Sequence, residues 1–212
     1  MNNGKLYIVG AGGFSREIYD YLSATKFEYE GYQLAGFLDD DTTQLDNFDV
    51  LHSIVGPLED VNIPKGSKLI MGLASPFLKE RLFKFYLELE ISYVTYIHPS
   101  AVVGKYIQLG EGCVICPNVT ITTNVKIGLC STINAHSSIG HDVIIGDFCT
   151  LSGHCDITGQ VCIGNRVMLG SHALIIPRKI VESDSIVGAG SVVIKKVRSG
   201  TTVFGNPAKI IN

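Results

Sequence analysis

The sequence predicts an α/β plus all-β chain: a small Rossmann-like βαβαβ domain followed by a parallel β-helix of hexapeptide repeats. Three observations support this prediction. An aliphatic residue returns every six positions in the second half of the chain, a glycine turn follows the first buried strand, and helix-like segments alternate with strand-like runs near the amino end. We place the domains at residues 1–96 and 97–212.

The aliphatic repeat runs without a slip from Ile97 to Val193. Its 17 positions are Ile97, Val103, Leu109, Ile115, Ile121, Ile127, Ile133, Ile139, Ile145, Leu151, Ile157, Ile163, Leu169, Ile175, Val181, Val187 and Val193. At a chance of about one in three per position, such a run has odds on the order of 10⁻⁸. Neither a helix nor an alternating strand has a period of six. The period therefore indicates a short strand and a turn, three times per coil, with residue n stacked under residue n+18.

Four positions after the aliphatic residue, the side chain is usually small. These residues are Ala101, Cys113, Ser131, Ser137, Cys149, Cys155, Ala173, Ser185 and Ser191. We interpret the six cysteines of the chain as structural, and those at the small position as small hydrophobic residues. Cys113 and Cys116 form a C-x-x-C pair without a second pair, which is a weak indication of zinc.

The amino-terminal segment "KLYIVGAGGFSREIYDYL" is typical of a buried strand, a glycine turn and a helix. "QLAGFLDDD" and "KLIMGLA" are the next strands, and "PFLKERLFKFYLEL" is an amphipathic helix. The Gly-x-Gly-x-x-Gly pattern is only partly met, because Gly10 and Gly12 fit and Ser15 occupies the third position. One such half is too small for a dinucleotide, so a mononucleotide or a nucleotide sugar is favoured.

Backbone amides at Gly12, Gly13 and Phe14 would begin the helix, where phosphate binds well. Asp39 and Asp40 end the second strand and would accept hydrogen bonds from a ribose hydroxyl or a base. The alternative interpretation is a glycine-rich turn beside a solvated acidic loop.

The composition excludes some classes of partner. The chain has 212 residues, 46% of them hydrophobic and 17% charged, and a net charge of −3, so we expect no nucleic-acid or anionic-membrane partner. There is no apolar run long enough to span a bilayer and no signal-peptide pattern, so we expect no membrane span and a cytoplasmic location. In that compartment the cysteines would be reduced.

Five histidines fall in the repeat, and His98 at its start is out of column with the others. His136, His154 and His172 recur once per coil and should stack on one edge as surface residues, since an axial stack cannot converge on one ion. His141 lies on another edge and is followed by Asp142. A neutral imidazole is suited to taking a proton near neutral pH, and a carboxylate would fix its tautomer. The alternative for His141 is an ordinary surface turn histidine.

Residues 97–207, with "GAGSVVIKKV" (188–197) and "GNPAKII" (205–211), resemble the hexapeptide acyltransferases with a left-handed β-helix. With the amino-terminal domain included, the chain resembles the bacterial nucleotide-sugar amino N-acetyltransferases and their sialic acid O-acetyltransferase relatives. The resemblance implies a left-handed coil, acetyl-CoA as co-substrate, no metal, and a homotrimer with its sites in the clefts between subunits.

The resemblance also implies roles for individual residues. His141 would be the catalytic base and Asp142 its partner, and Asn134 would lie on the sugar side of the site. The acetyl-CoA contacts would be Thr150, Gly159, Ser171 and Ala189, and the Gly159 N–H would polarise the thioester carbonyl. The nucleotide-sugar pocket would include the glycine turn, the two aspartates and Gly72, although the turn Met71-Gly72-Leu73-Ala74 departs from the family's usual pattern.

A zinc enzyme is a rival interpretation. Left-handed β-helix carbonic anhydrases bind zinc through two histidines five apart, the spacing of His136 and His141, and a third about two coils earlier. Ser100 occupies that third position here, and a catalytic zinc needs three protein ligands.

The sequence therefore predicts an acetyl-CoA-dependent N-acetyltransferase that acts on the amine of a UDP- or dTDP-linked amino-deoxy sugar, in surface-glycan precursor synthesis such as that of O-antigen lipopolysaccharide. The alternatives are a sialic acid O-acetyltransferase and a non-catalytic nucleotide-sugar binding protein.

Overall fold

The chain folds into two compact units, one ending at Val94 and the other beginning at Thr95. The structure, a computed structural model, describes residues 4–211. Residues 1–3 and 212, at the outer ends of the two predicted domains, lie outside the described residues.

The first unit is a mostly parallel sheet with two helices among its described residues. Its elements are β1 (Gly4–Val9), α1 (Gly13–Ser23), β2 (Glu28–Tyr29), β3 (Tyr32–Leu38), β4 (Ile54–Gly56), β5 (Lys68–Met71), α2 (Pro76–Glu88) and β6 (Ser92–Tyr93). The strand order is β2-β3-β1-β5-β6, and β4 pairs with β3. The helix α2 follows β5, in the order in which the predicted strand and helix segments occur in the sequence. The connection from β3 to β5 also contains the short strand β4, which the sequence did not predict, because residues 39–53 are rich in acids and polar turn formers and show no regular period.

The buried centre of this sheet fixes the position of the strand ends at which a ligand would bind. Leu6, Ile8 and Val9 of β1 are fully buried, and Ile18 and Leu22 of α1 are also buried. The carboxyl ends of β1, β3 and β5 meet at one edge of the sheet, where ligands bind in parallel α/β folds. Neither helix within residues 4–211 has the length and apolar character to cross a membrane.

The second unit is a parallel β-helix whose coils have three faces. Face 1 comprises β7 (Tyr96–Ile97), β10 (Val114–Ile115), β13 (Thr132–Ile133), β16 (Thr150–Leu151), β19 (Met168–Leu169), β22 (Ile186–Val187), β24 (Thr202–Phe204) and β25 (Lys209–Ile210). Face 2 comprises β8 (Val102–Val103), β11 (Thr120–Ile121), β14 (Ser138–Ile139), β17 (Asp156–Ile157), β20 (Leu174–Ile175) and β23 (Val192–Val193). Face 3 comprises β9 (Gln108–Leu109), β12 (Lys126–Ile127), β15 (Ile144–Ile145), β18 (Cys162–Ile163) and β21 (Ile180–Val181).

The coil register agrees with the six-residue period. Every strand from β7 to β23 ends on one of the predicted aliphatic residues. Pairing joins residues one full coil apart, as in the column Ile121, Ile139, Ile157 and Ile175 on face 2, all fully buried. The predicted fold class is confirmed.

Each turn of the β-helix contains a residue in the left-handed backbone region, every six positions from Tyr106 to Gly190. The non-glycine members have φ between 48° and 63°: Tyr106, Asn118, Asn124, Cys130, His136, Asp142, Phe148, His154, Gln160, Arg166, His172, Arg178 and Asp184. A backbone hydrogen bond to the coil below offsets the strain at many of these turns, as where the His136 N–H donates to the Pro117 carbonyl at 3.1 Å.

At several of the small positions inside the coils, the side chain donates a hydrogen bond as well as fitting the available space. Ser131 Oγ donates to the Gly146 carbonyl (2.8 Å) and accepts from the Cys149 N–H (2.9 Å). Equivalent bonds run from Cys113 Sγ to Gly128, from Cys149 Sγ to Gly164 and from Cys155 Sγ to Gly170. Burial raises the pKa of Cys155 to about 11, so it remains a thiol. Cys162, which we expected to be structural, is instead exposed on face 3.

Ser131→Ala should therefore destabilise the β-helix by about 1–3 kcal/mol, because it leaves a buried carbonyl and a buried N–H without their partner. Ser138→Ala, in the same coil but on the outer surface, removes a side chain bonded to Asp156 and is the matched control, with an expected change within about 0.5 kcal/mol. Urea unfolding followed by circular dichroism measures both. Equal stabilities for the two variants would contradict the donor role.

Candidate active site

The His141-Asp142 turn presents a polarised imidazole on the surface of the β-helix. His141 Nδ1 lies 2.7 Å from Asp142 Oδ2. The carboxylate oxygen can only accept, so the proton is assigned to Nδ1 and Nε2 carries the lone pair. The side chains of His141 and Asp142 are 58% and 41% exposed, so the imidazole is open to a substrate.

Neighbouring coils hold this turn from both sides. The Asp142 N–H donates to the Thr123 carbonyl below (3.1 Å), and the His141 carbonyl accepts from the Gln160 N–H above (2.9 Å). Asn124 Nδ2 donates to Asp142 Oδ1 at 2.6 Å. The hydrogen bonds from Asn124 and then from His141 hold the pKa of the Asp142 carboxyl below its usual range, so the residue stays ionised.

Gly159 lies against the imidazole, one coil above it. A Cβ at Gly159 would lie 2.5 Å from His141 Nε2 and 2.7 Å from Cε1, so a larger residue here would displace the imidazole ring. The Gly159 N–H donates no hydrogen bond to any group within residues 4–211. The two residues share a pocket of about 410 Å³ with Gln160, Pro177, Arg178 and Lys179.

The other predicted acetyl-CoA contacts lie elsewhere in the same chain. His141 and Gly159 are on edge 2–3, the turns that lead from face 2 to face 3. Ser171 and Ala189 are exposed on edge 1–2, the turns that lead from face 1 to face 2. Thr150 lies on face 1 and is only 5% exposed, so it presents little surface to a ligand. Of the four predicted contacts, the chain brings only Gly159 to the base.

Edge 1–2 also carries Asn134 and the histidine stack. Asn134 Oδ1 accepts from the Ala135 N–H (2.7 Å). The rings of His136, His154 and His172 stack nearly parallel, with centroids 4.9 and 4.7 Å apart. Parallel rings in a column do not converge on one ion, and residues 4–211 contain no group of three His, Cys, Asp or Glu side chains arranged to hold a metal.

The predicted nucleotide site lies at the start of α1, at the edge of the sheet where the carboxyl ends of β1, β3 and β5 meet. Gly12 occupies the N-cap position without a side-chain cap, and the first turn carries no acidic residue. A Cβ at Gly12 would contact nothing within 4 Å. The first amides of this 11-residue helix have no partner within the helix, and the space beside Gly12 is open, which is the arrangement that binds phosphate.

The two predicted aspartates shape this site by holding backbone. Asp39 Oδ2 accepts from the Ala11 N–H in the glycine turn (2.7 Å), and Asp40 Oδ1 accepts from the Leu58 N–H (3.0 Å). Asp39 is half-buried, whereas Asp40 is exposed and is the more accessible of the two to a ligand.

One contact explains both the serine at position 15, where the Gly-x-Gly-x-x-Gly pattern has its third glycine, and the glycine at position 72. Buried Ser15 donates from Oγ to the Gly72 carbonyl (2.9 Å), which ties α1 to the end of β5. A Cβ at Gly72 would overlap Ser15 Oγ and lie 2.8 Å from the Val9 carbonyl. Packing alone therefore requires glycine at position 72, which is buried beneath the turn.

Sequence reasoning missed Arg16, which lies beside the glycine turn. Its guanidinium carbon is 3.7 Å from the centroid of the Phe48 ring, and Nη1 donates to the Ala11 carbonyl (3.3 Å). A stacked guanidinium is a preorganised donor for phosphate. The sequence could have indicated Arg16 through its position three residues beyond Gly13, within the first turn of the helix.

These features define a class of protein: a hexapeptide-repeat acyltransferase with a histidine–carboxylate pair, preceded by a Rossmann-like domain whose glycine turn is of the phosphate-binding type. A family model described as the PglD N-terminal domain matches residues 5–85. No curated protein matches the chain.

Solved structures match over nearly the whole chain. PerB from Caulobacter crescentus, in complex with CoA and GDP-perosamine, is 32% identical, with 99% of this chain and 98% of that chain covered and a TM-score of 0.87. A histidine-to-asparagine mutant of perosamine N-acetyltransferase from Caulobacter crescentus, with the same ligands, is 31% identical, with coverage of 99% and 97% and a TM-score of 0.88. WeeI from Acinetobacter baumannii AYE is 27% identical, with coverage of 98% and 99% and a TM-score of 0.86. The chain belongs to this family of hexapeptide-repeat sugar acetyltransferases.

Proposed function

We propose that the protein transfers an acetyl group from acetyl-CoA to the amine of a nucleotide-linked amino-deoxy sugar, with His141 as the general base. The observation that carries the proposal is the bond between His141 Nδ1 and Asp142, which leaves Nε2 unprotonated in an open pocket beside Gly159. The Caulobacter relatives, solved with CoA and GDP-perosamine, supply the chemical class of the two substrates.

The reaction follows from the properties of these groups. The sugar amine attacks the thioester carbonyl carbon while Nε2 accepts a proton from the nitrogen. Asp142 stabilises the resulting imidazolium. The Gly159 N–H would stabilise the oxyanion of the tetrahedral intermediate. The intermediate collapses as the carbon–sulfur bond breaks, and the imidazolium returns its proton to the CoA thiolate.

The nucleotide portion of the sugar substrate is assigned to the glycine turn of the first unit. The open amides from Gly12 to Phe14 and the Arg16 guanidinium would hold phosphate, and Asp40 would accept from a hydroxyl or a base. We predicted UDP or dTDP from sequence, whereas the Caulobacter relatives bind a GDP-linked sugar, so an activity panel should include all three nucleotides.

A homotrimer would complete the acetyl-CoA site. His141 and Gly159 lie on edge 2–3, whereas Ser171 and Ala189 lie on edge 1–2 of the same chain. A cleft between edge 2–3 of one subunit and edge 1–2 of its neighbour would unite them, and cyclic symmetry would give three equal sites. A cytoplasmic location and a role in surface-glycan precursor synthesis belong to the same proposal. The six cysteines form no disulfide within residues 4–211, and five of them are buried, which fits a reducing compartment.

His141→Ala should lower kcat by about 10²–10⁴, the usual contribution of a general base, with little change in either KM. Asp142→Asn should cost less, because the residue orients the base and takes no proton. CoA release across a panel of UDP-, dTDP- and GDP-linked amino sugars and sialic acid measures this. Native turnover in His141→Ala would overturn the proposed mechanism.

Treatment with a chelator should leave turnover unchanged, because the proposed base needs no metal. Activity lost on chelation and restored by zinc would support the zinc enzyme instead.

Gly12→Ala should raise KM for the sugar nucleotide by about tenfold, the equivalent of one charge-assisted hydrogen bond. Its methyl group would enter the open space in front of the helix amides and meet no protein atom, so the melting temperature should not change. Arg16→Gln should act in the same direction. KM for acetyl-CoA is the internal control, and equal increases in both KM values would contradict this assignment.

The native protein should have a mass about three times that of the 22.9 kDa chain by light scattering. A fully active monomer at micromolar concentration would exclude the shared cleft.

A further inference from the structure

Asn124 is joined to the proposed base through a single carboxylate. Asn124 Nδ2 donates to Asp142 Oδ1 at 2.6 Å, and the other oxygen, Oδ2, lies 2.7 Å from His141 Nδ1. We infer that Asn124 is a positioning residue for the acetyl transfer: it holds the Asp142 carboxylate in the orientation that fixes the His141 imidazole. This inference rests on the proposed function.

The coil geometry makes the connection direct. Asn124 precedes Asp142 by one full coil and therefore lies directly below it on edge 2–3. Both residues have left-handed backbone, with φ of 54° and 61°, so their side chains leave equivalent turns and lie one above the other. The backbone on the lower side is also fixed, because the Asn124 N–H donates to the Lys105 carbonyl (3.1 Å).

Asp142 needs such a partner because its side chain is 41% exposed. A carboxylate on the surface can rotate toward water, and the bond to the adjacent imidazole would then be lost. Asn124 occupies one oxygen and leaves the other for His141. As a neutral donor, the amide does so without adding a cation that would compete with the imidazolium.

Pairing between coils at these turn positions is a general feature of the β-helix. Arg178 Nε donates to Gln160 Oε1 (2.9 Å) on the same edge, and Arg166 pairs with Asp184 (2.7 Å) between faces 3 and 1. The pair at Asn124 differs in its consequence, since the second oxygen of the acceptor bonds a histidine. The bond to Asn124 also contributes most to the lowered pKa of Asp142.

Asn124→Ala should lower kcat about three- to tenfold, the rate equivalent of one net hydrogen bond, and leave both KM values unchanged. Asp184→Ala is the matched control, because Asp184 also has left-handed backbone, with φ of 63°, and also bonds a side chain one coil away, that of Arg166, but lies between faces 3 and 1 and outside the proposed cleft. It carries the same backbone change and should keep native kcat. Asn124→Ser retains a donor and should recover part of the loss.

A second readout does not depend on turnover. Carbon-13 titration of the Asp142 carboxyl should show its pKa rising toward the ordinary value in Asn124→Ala and unchanged in Asp184→Ala. Asp142→Asn assigns the signal by removing it.

The outcomes separate the inference from the proposed function. If the native protein releases no CoA with any amino sugar, the proposed function fails, and the Asn124 inference fails with it. If the native protein is active and His141→Ala is not, but Asn124→Ala matches Asp184→Ala in kcat and in the Asp142 titration, the inference alone is overturned. A loss of kcat confined to Asn124→Ala, with the raised Asp142 pKa, supports it.

Discussion

The stacking of each coil directly on the preceding one is the constraint on which the rest of the β-helix depends. An aliphatic residue fills the interior at every sixth position, and the backbone of each strand bonds the coils above and below. Because the stack keeps one register, any turn residue is placed relative to the turns of adjacent coils. Asn124, Asp142 and Gln160 are far apart in sequence and neighbours in space for this reason alone.

The same constraint explains how a rigid, filled coil carries chemistry. The interior leaves no room for a substrate, so reactive groups have to lie on the edges. His141 gains its orientation from Asp142, Asp142 from Asn124, and the ring edge has space because position 159 is glycine. Each of these contacts spans at most one coil. Of the acetyl-CoA contacts expected from the family, Gly159 lies on edge 2–3 and Ser171 and Ala189 lie on edge 1–2, which is why we propose that a neighbouring subunit completes the site.

The period of the sequence was sufficient to predict every strand of the β-helix from β7 to β23 and the stacking of the three histidines. It identified Gly159 as the neighbour of His141 by counting one full coil along the chain. The donor role of the small position was missed, because serine and cysteine were considered for their size and not for their hydrogen atoms. Asn124 and Arg16 were missed because their roles depend on side-chain direction, which no spacing specifies. In the first unit, the segment with β4 has no period, and its path could not be predicted.

Mixed trimers test the shared cleft most directly. Chains carrying His141→Ala and chains carrying Ala189→Trp should each form inactive homotrimers, since one lacks the base and the other blocks the acetyl donor. If each site takes its base from one subunit and its acetyl-CoA contact from the next, random mixing should restore about one quarter of the sites, one half multiplied by one half. Turnover near a quarter of the native value after co-expression is the result we predict. No activity above that of the two parent variants would contradict a site built from two subunits.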